Sequence, residues 1–129
     1  MKDLIKYQVP LTFTIKEAVS QMDDGGIGFC VVIDEEKKVI GVISDGDFRR
    51  AALSGQDLDC EVGKILNKSF VYVTEDDGED DLENIFSGLV VDQIPILNDG
   101  FLIDIVTKDK FYGLEKLEHL PIIKNPVVI

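Results

Sequence analysis

Gly41-Val42-Ile43-Ser44-Asp45-Gly46-Asp47-Phe48-Arg49-Arg50 is the stretch on which the fold turns. An apolar alternation ends on a hydroxyl, an acid follows three residues later, and the only two arginines of the protein come next. Val39 to Ser44 reads as a strand and Asp47 to Leu53 as the helix after it, closed by Ser54-Gly55. The N-terminus of such a helix carries unpaired backbone N–H groups and favours anions. A carboxylate able to accept ribose hydroxyls, a small hydroxyl donor and two cations thus meet at one helix end. That chemistry suits a nucleotide held by its sugar and phosphates, and the chain offers no comparably complete set of groups for bond-making.

Upstream, Thr14 and Glu17 form a capping-box pair, and Ile15, Ala18, Val19 and Met22 recur at helical spacing until Gly25-Gly26. Phe29 to Ile33 reads as a buried strand, Asp34 to Lys38 as a turn, and Gln56 to Glu61 as a polar connector. The same order returns about sixty residues later, the scale of an internal repeat. Val71-Tyr72-Val73-Thr74 echoes Leu11-Thr12-Phe13-Thr14, and a helix is expected over roughly Asp81 to Leu89. Ile94 to Asn98 answers Cys30 to Asp34, Asn98-Asp99-Gly100 marks a hairpin turn, and Phe101 to Thr107 is the returning strand. Two β-α-β-β-α units of mixed α/β (α+β) class are expected, with their apolar sheet faces packed together into one core.

These residues resemble a tandem pair of CBS domains (a Bateman module), the unit named after cystathionine β-synthase. The marks are a strand ending in Gly-apolar-apolar-Ser/Thr, two spacer residues and an Asp; Gly41, Ser44 and Asp47 match in full. The second half keeps Ile94-Pro95-Ile96 and Thr107. The resemblance covers nearly all of residues 3 to 113 and divides the chain into repeats 1–57 and 58–113, with 114–129 left as a linker and the start of a truncated downstream domain.

The resemblance implies a pseudo-twofold module that binds an adenine nucleotide (AMP, ADP or ATP) between its repeats and regulates an attached enzyme. It also implies a homodimer formed through the CBS helices. Carried over, Asp47 holds the ribose and Ser44 supports it. Thr12, Gly28 and Phe29 flank the base, and Arg49 or Arg50 reaches phosphate. At the second site Thr107 is followed three residues later by Lys110, and Asp104 replaces the glycine that Gly41 supplies. Lysine has only donors and cannot accept from two ribose hydroxyls. The second cleft is therefore expected to be empty or to lend its lysines to a shared ligand, with one nucleotide per chain. The rival expectation is a structural dimerisation module whose clefts bind nothing.

Composition narrows the alternatives. A formal net charge of −12 opposes nucleic acid or an acidic membrane as partner. It leaves room for a small anion, because local charge dominates within about 8–10 Å. The apolar runs are too short to span a bilayer, the N-terminus is too charged for a secretory signal, and Cys30 and Cys60 read as reduced thiols of a cytoplasmic protein. The acids from Glu75 to Asp81 lack the ligand spacing of an EF-hand, with Val73 at its first position, and read as a solvated loop, so no metal is expected. Gly25-Gly26-Ile27-Gly28 lacks the third glycine of a dinucleotide fingerprint, and His119, the only histidine, has no paired nucleophile. A short helix over Leu114 to His119 leads to Asn125-Pro126-Val127-Val128-Ile129, which resembles the opening strand of sugar-nucleotide pyrophosphorylases. The chain is thus expected to be the regulatory part of a sugar-1-phosphate nucleotidyltransferase, itself without catalytic residues.

Overall fold

The structure, a computed structural model, describes residues 3–113. The tail helix and the pyrophosphorylase-like stretch lie outside the described residues. The element order is β1 (Gln8–Pro10), α1 (Ile15–Gly25), β2 (Phe29–Ile33), β3 (Val39–Ser44) and α2 (Asp45–Leu53), followed by β4 (Val73–Thr74), α3 (Glu79–Gly88), β5 (Gln93–Asn98), β6 (Phe101–Thr107) and α4 (Lys108–Phe111). Each repeat has one three-stranded sheet, ordered β1-β2-β3 and β4-β5-β6, with the first strand parallel and the third antiparallel to the middle one.

The repeat has a strict register. Val9 pairs with Val32, and Val73 pairs with Ile96, an offset of 64 on both strands. Both hairpins slip register at the same place, between Val32 and Ile33 and between Ile96 and Leu97. This register corrects the sequence reading: the counterpart of Val73-Thr74 is Val9-Pro10, not Phe13-Thr14. The same offset places Gly78 opposite Thr14 as the residue that starts the helix. Gly78 N–H donates to Asp81 Oδ2 at 2.9 Å, as Thr14 N–H donates to Glu17 Oε1 at 2.9 Å. Helix α3 therefore begins at Glu79, two residues before the expected start.

Strand alternation divides the core into three layers. Cys30, Val32 and Ile43 face the helices of their own repeat beside Ala18 and Met22. Phe29, Val31 and Val42 face the other way, onto Leu97, Leu102 and Ile105 of the second sheet. That middle layer is the expected face-to-face core. On the far side Phe86, 2% exposed, anchors α3 against Val73 and Ile94. Pro95 sits in a middle strand without losing a ladder bond to β4, which pairs only with Ile96 and Leu97. The chain from Leu58 to Leu66 folds back on the first repeat: Leu58 and Cys60 carbonyls accept from Lys16 and Ile15, and Val62 is fully buried beside Val9.

Burial pushes the Cys30 thiol up to about 12. The folded chain keeps this proton over a range where an unfolded thiol, near 9, has lost it. Its contribution to stability is therefore complete below about pH 9 and declines as pH rises toward 12. Cys30→Ala should flatten the decline of thermal stability between pH 9 and 11 relative to the parent; an unchanged slope would contradict the assignment. In the native state, iodoacetamide should label half-buried Cys60 and spare Cys30.

Candidate functional site

Ser44 ends β3 and caps α2. Its Oγ accepts from Asp47 N–H at 3.3 Å and donates to Asp47 Oδ2 at 3.0 Å, while Ser44 N–H donates to the same oxygen at 3.0 Å. The other carboxylate oxygen, Oδ1, accepts from Arg50 Nη2 at 2.8 Å. Ser-x-x-Asp is thus a capping box first, and it holds the carboxylate at the strand–helix junction with its rotamer set from both sides. Helix α2 starts at Asp45, two residues earlier than expected, because Ser44 caps it.

The junction opens onto a cleft of about 640 Å³ between the repeats, ample for a mononucleotide. Gly28, Phe29, Ser44, Asp47, Arg49 and Arg50 all line it, so six of the nine residues singled out in the sequence meet in one cavity. Gly28 has φ +65, and a Cβ there would run into the Asp45 carboxylate; the Asp45 backbone N–H donates to Gly28 O at 3.0 Å. The opposite wall consists of residues the sequence reading missed: Asn67, Phe70 and Val71 from the segment before β4, and Val90 to Gln93 at the entry to β5. Gly41 allows that wall to form. Val42 and Asn67 exchange backbone hydrogen bonds of 3.0 and 2.8 Å, and a Cβ on Gly41 would overlap Leu66 and lie 2.9 Å from Asn67 O.

Thr12 is not in the site. Strand β1 runs parallel to β2 with Pro10 opposite Ile33, so its C-terminal end lies at the hairpin end of the sheet. Thr12 lines a separate hollow there with Asp34 to Glu36, while Gly28 and Phe29 sit at the opposite end of β2.

Thr107 and Lys110 line the pseudo-symmetric counterpart, a cleft of about 360 Å³. Its walls follow the 64-residue offset: Asp3, Lys6 and Tyr7 answer Asn67, Phe70 and Val71, and Ile27 answers Val91. Thr107 Oγ1 accepts from Lys110 N–H at 3.3 Å, but Lys110 returns no carboxylate. Between the clefts lies a chamber lined by Asp45, Asp92 and Asp109, with Lys108 beside them. A phosphate chain spanning both clefts would cross those three carboxylates, which disfavours a shared anionic ligand. Among the described residues no group of three or more His, Cys, Asp or Glu is arranged to hold a metal ion, and no helix is long and apolar enough to cross a membrane.

The CBS-domain family model matches residues 2–54. An uncharacterized 17.7 kDa protein of Acidianus ambivalens is 34% identical over 116 residues, covering 88% of this chain and 64% of that protein. Arabinose 5-phosphate isomerase GutQ of Escherichia coli is 26% identical over 106 residues, covering 81% of this chain and 33% of the isomerase. The chain thus spans less than two thirds of either relative. Among solved structures, the CBS domain pair of protein MJ0100, in complex with 5′-methylthioadenosine and S-adenosyl-L-methionine, superposes with a TM-score of 0.73 at 20% identity over 84% of this chain and 86% of that one. CBSX2 in complex with AMP superposes with a TM-score of 0.69 at 20% identity, over 84% and 85%. These likenesses identify the fold.

Proposed function

From a chain built as a tandem pair of CBS domains, we propose a regulatory module that binds an adenine nucleotide in the cleft on its first repeat. The observation that carries this reading is the meeting of Ser44, Asp47, Arg49 and Arg50 with the apolar Phe29 and Phe70 in one cleft between the repeats. Apolar walls suit a base, the carboxylate suits ribose hydroxyls, and guanidiniums suit phosphate. The ligands named for the two solved pairs, AMP among them, support the adenine choice. The second cleft, with Lys110 in place of the acid, lacks the ribose acceptor, so the proposed stoichiometry is one nucleotide per chain.

Binding regulates only if it favours one arrangement of the repeats over another. The proposed recipients are a second copy, met through the helices, and an attached enzyme acting on sugar phosphates. Asn125 to Ile129 favour a nucleotidyltransferase, and the similarity to the arabinose 5-phosphate isomerase supports the substrate class.

One observation favours the rival reading, a dimerisation module without ligand: both oxygens of Asp47 are already engaged inside the chain. Isothermal titration with AMP, ADP, ATP and GTP separates the two. Micromolar binding of an adenine nucleotide at one site per chain is the expected result; a folded dimer giving no heat with any of the four would leave the structural role.

A further inference from the structure

Arg50 occupies the atom that a ribose needs. Its guanidinium folds back one turn along α2 to bond Asp47 Oδ1, and its side chain is 72% exposed against 19% for Asp47. Both side chains line the cleft, the guanidinium well exposed to solvent and the carboxylate mostly buried. Gly46 leaves the space for it: a Cβ there would stand 3.3 Å from Nη1 and 3.4 Å from Nη2 of Arg50. Arg49 lines the same cleft but pairs with no carboxylate among the described residues. The two arginines, adjacent in sequence, are therefore in different states before any ligand arrives.

We infer that Arg50 makes the first cleft select for phosphate, by exchanging its contact with Asp47 for one with the ligand's phosphate. The inference rests on the nucleotide reading and deepens it. A bare nucleoside that takes Asp47 Oδ1 leaves the guanidinium to water. A nucleotide takes the same oxygen and offers the displaced guanidinium a planar, doubly hydrogen-bonded contact in return. Such an exposed pair is weak, so the exchange is within a small ligand's reach. Arg49 needs no such exchange and acts as a plain phosphate contact.

Titration of the parent, Arg50→Ala and Arg49→Ala with adenosine and with AMP tests this. Arg50→Ala should bind adenosine roughly two- to fivefold more tightly, because Oδ1 is released, and AMP roughly tenfold more weakly, because a charged phosphate contact is lost. Arg49→Ala should weaken AMP and leave adenosine unchanged. Arg50 is exposed, and far-UV circular dichroism of each variant checks the fold. Adenosine affinity unchanged or weakened in Arg50→Ala would overturn the exchange while leaving the nucleotide site standing, provided the parent binds AMP. A folded parent that binds neither probe overturns both.

Discussion

Asp47→Ala is expected to weaken AMP binding by roughly ten- to a hundredfold, the value of a charge-assisted hydrogen bond of about 1.5–3 kcal/mol. The substitution also removes half of the capping box, since Ser44 N–H and Oγ both donate to Asp47 Oδ2. That loss should lower stability by about 1 kcal/mol and frees Arg50 at the same time. Asp47→Asn separates the two roles. An amide oxygen still accepts from Ser44, so the cap survives. The amide nitrogen, however, now occupies the side facing Arg50 and the cleft, where it can donate but not accept. Thermal melts near the parent's together with lost AMP binding are the expected pair of results for Asp47→Asn. Parent-like AMP affinity in that variant would show that the carboxylate serves α2 alone.

Gly41→Asp should be the most disruptive single change in the first repeat, costing about 3 kcal/mol by overpacking and by breaking a backbone contact. The new Cβ would overlap Leu66, which packs on the first core, and would press on the Asn67 carbonyl. Its carboxylate would add repulsion to that oxygen. The bonds exchanged between Val42 and Asn67 would then be lost, and with them the wall of Asn67, Phe70 and Val71 that closes the cleft. Both urea stability and AMP affinity should fall. The natural second repeat carries Asp104 at the equivalent position, opposite Ile96 as Gly41 is opposite Val32. A variant as stable as the parent would mean that the segment can dock without the close approach.

The hairpins were legible from the sequence because they combine apolar alternation with turn chemistry. Phe29 to Ile33, Val39 to Ser44 and Phe101 to Thr107 stand where the pattern places them, and the Asn98–Gly100 turn has the positive φ that it needs at Asp99 and Gly100. The helix starts were less legible. Thr14 caps α1 directly, but its counterpart is Gly78, which has no side chain to announce a cap and follows an acidic run. Thr74 therefore attracted the alignment meant for Gly78, four residues too early. The family resemblance alone put Thr12 beside the base, whereas the parallel pairing of β1 with β2 sends it to the other end of the sheet. The far wall of the cleft, Asn67 to Val71 and Val90 to Gln93, carries no motif of its own and joins the first repeat through the Val42–Asn67 backbone bonds and through sheet packing. The register of the repeat would have found it: residues 3–7 and 67–71 sit 64 apart and line the two clefts alike.

At the hairpin end the two repeats touch through their main chains: Val39 N–H donates to Gly100 O at 2.9 Å, and Lys38 lies over the Phe101 ring. At the cleft end, about a strand's length of 17–20 Å away, Gln93 Nε2 reaches Ile27 O at 2.7 Å. The molecule is thus a pair of tongs, pinned backbone to backbone at one end and clasped by an amide side chain at the other. Drawing the jaws together by about 1 Å at Gln93 needs a rotation of only about 3° over an arm of that length. On the function proposed above, a ligand that tightened the cleft end would leave the pivot almost still and shift the outer helices in opposite senses.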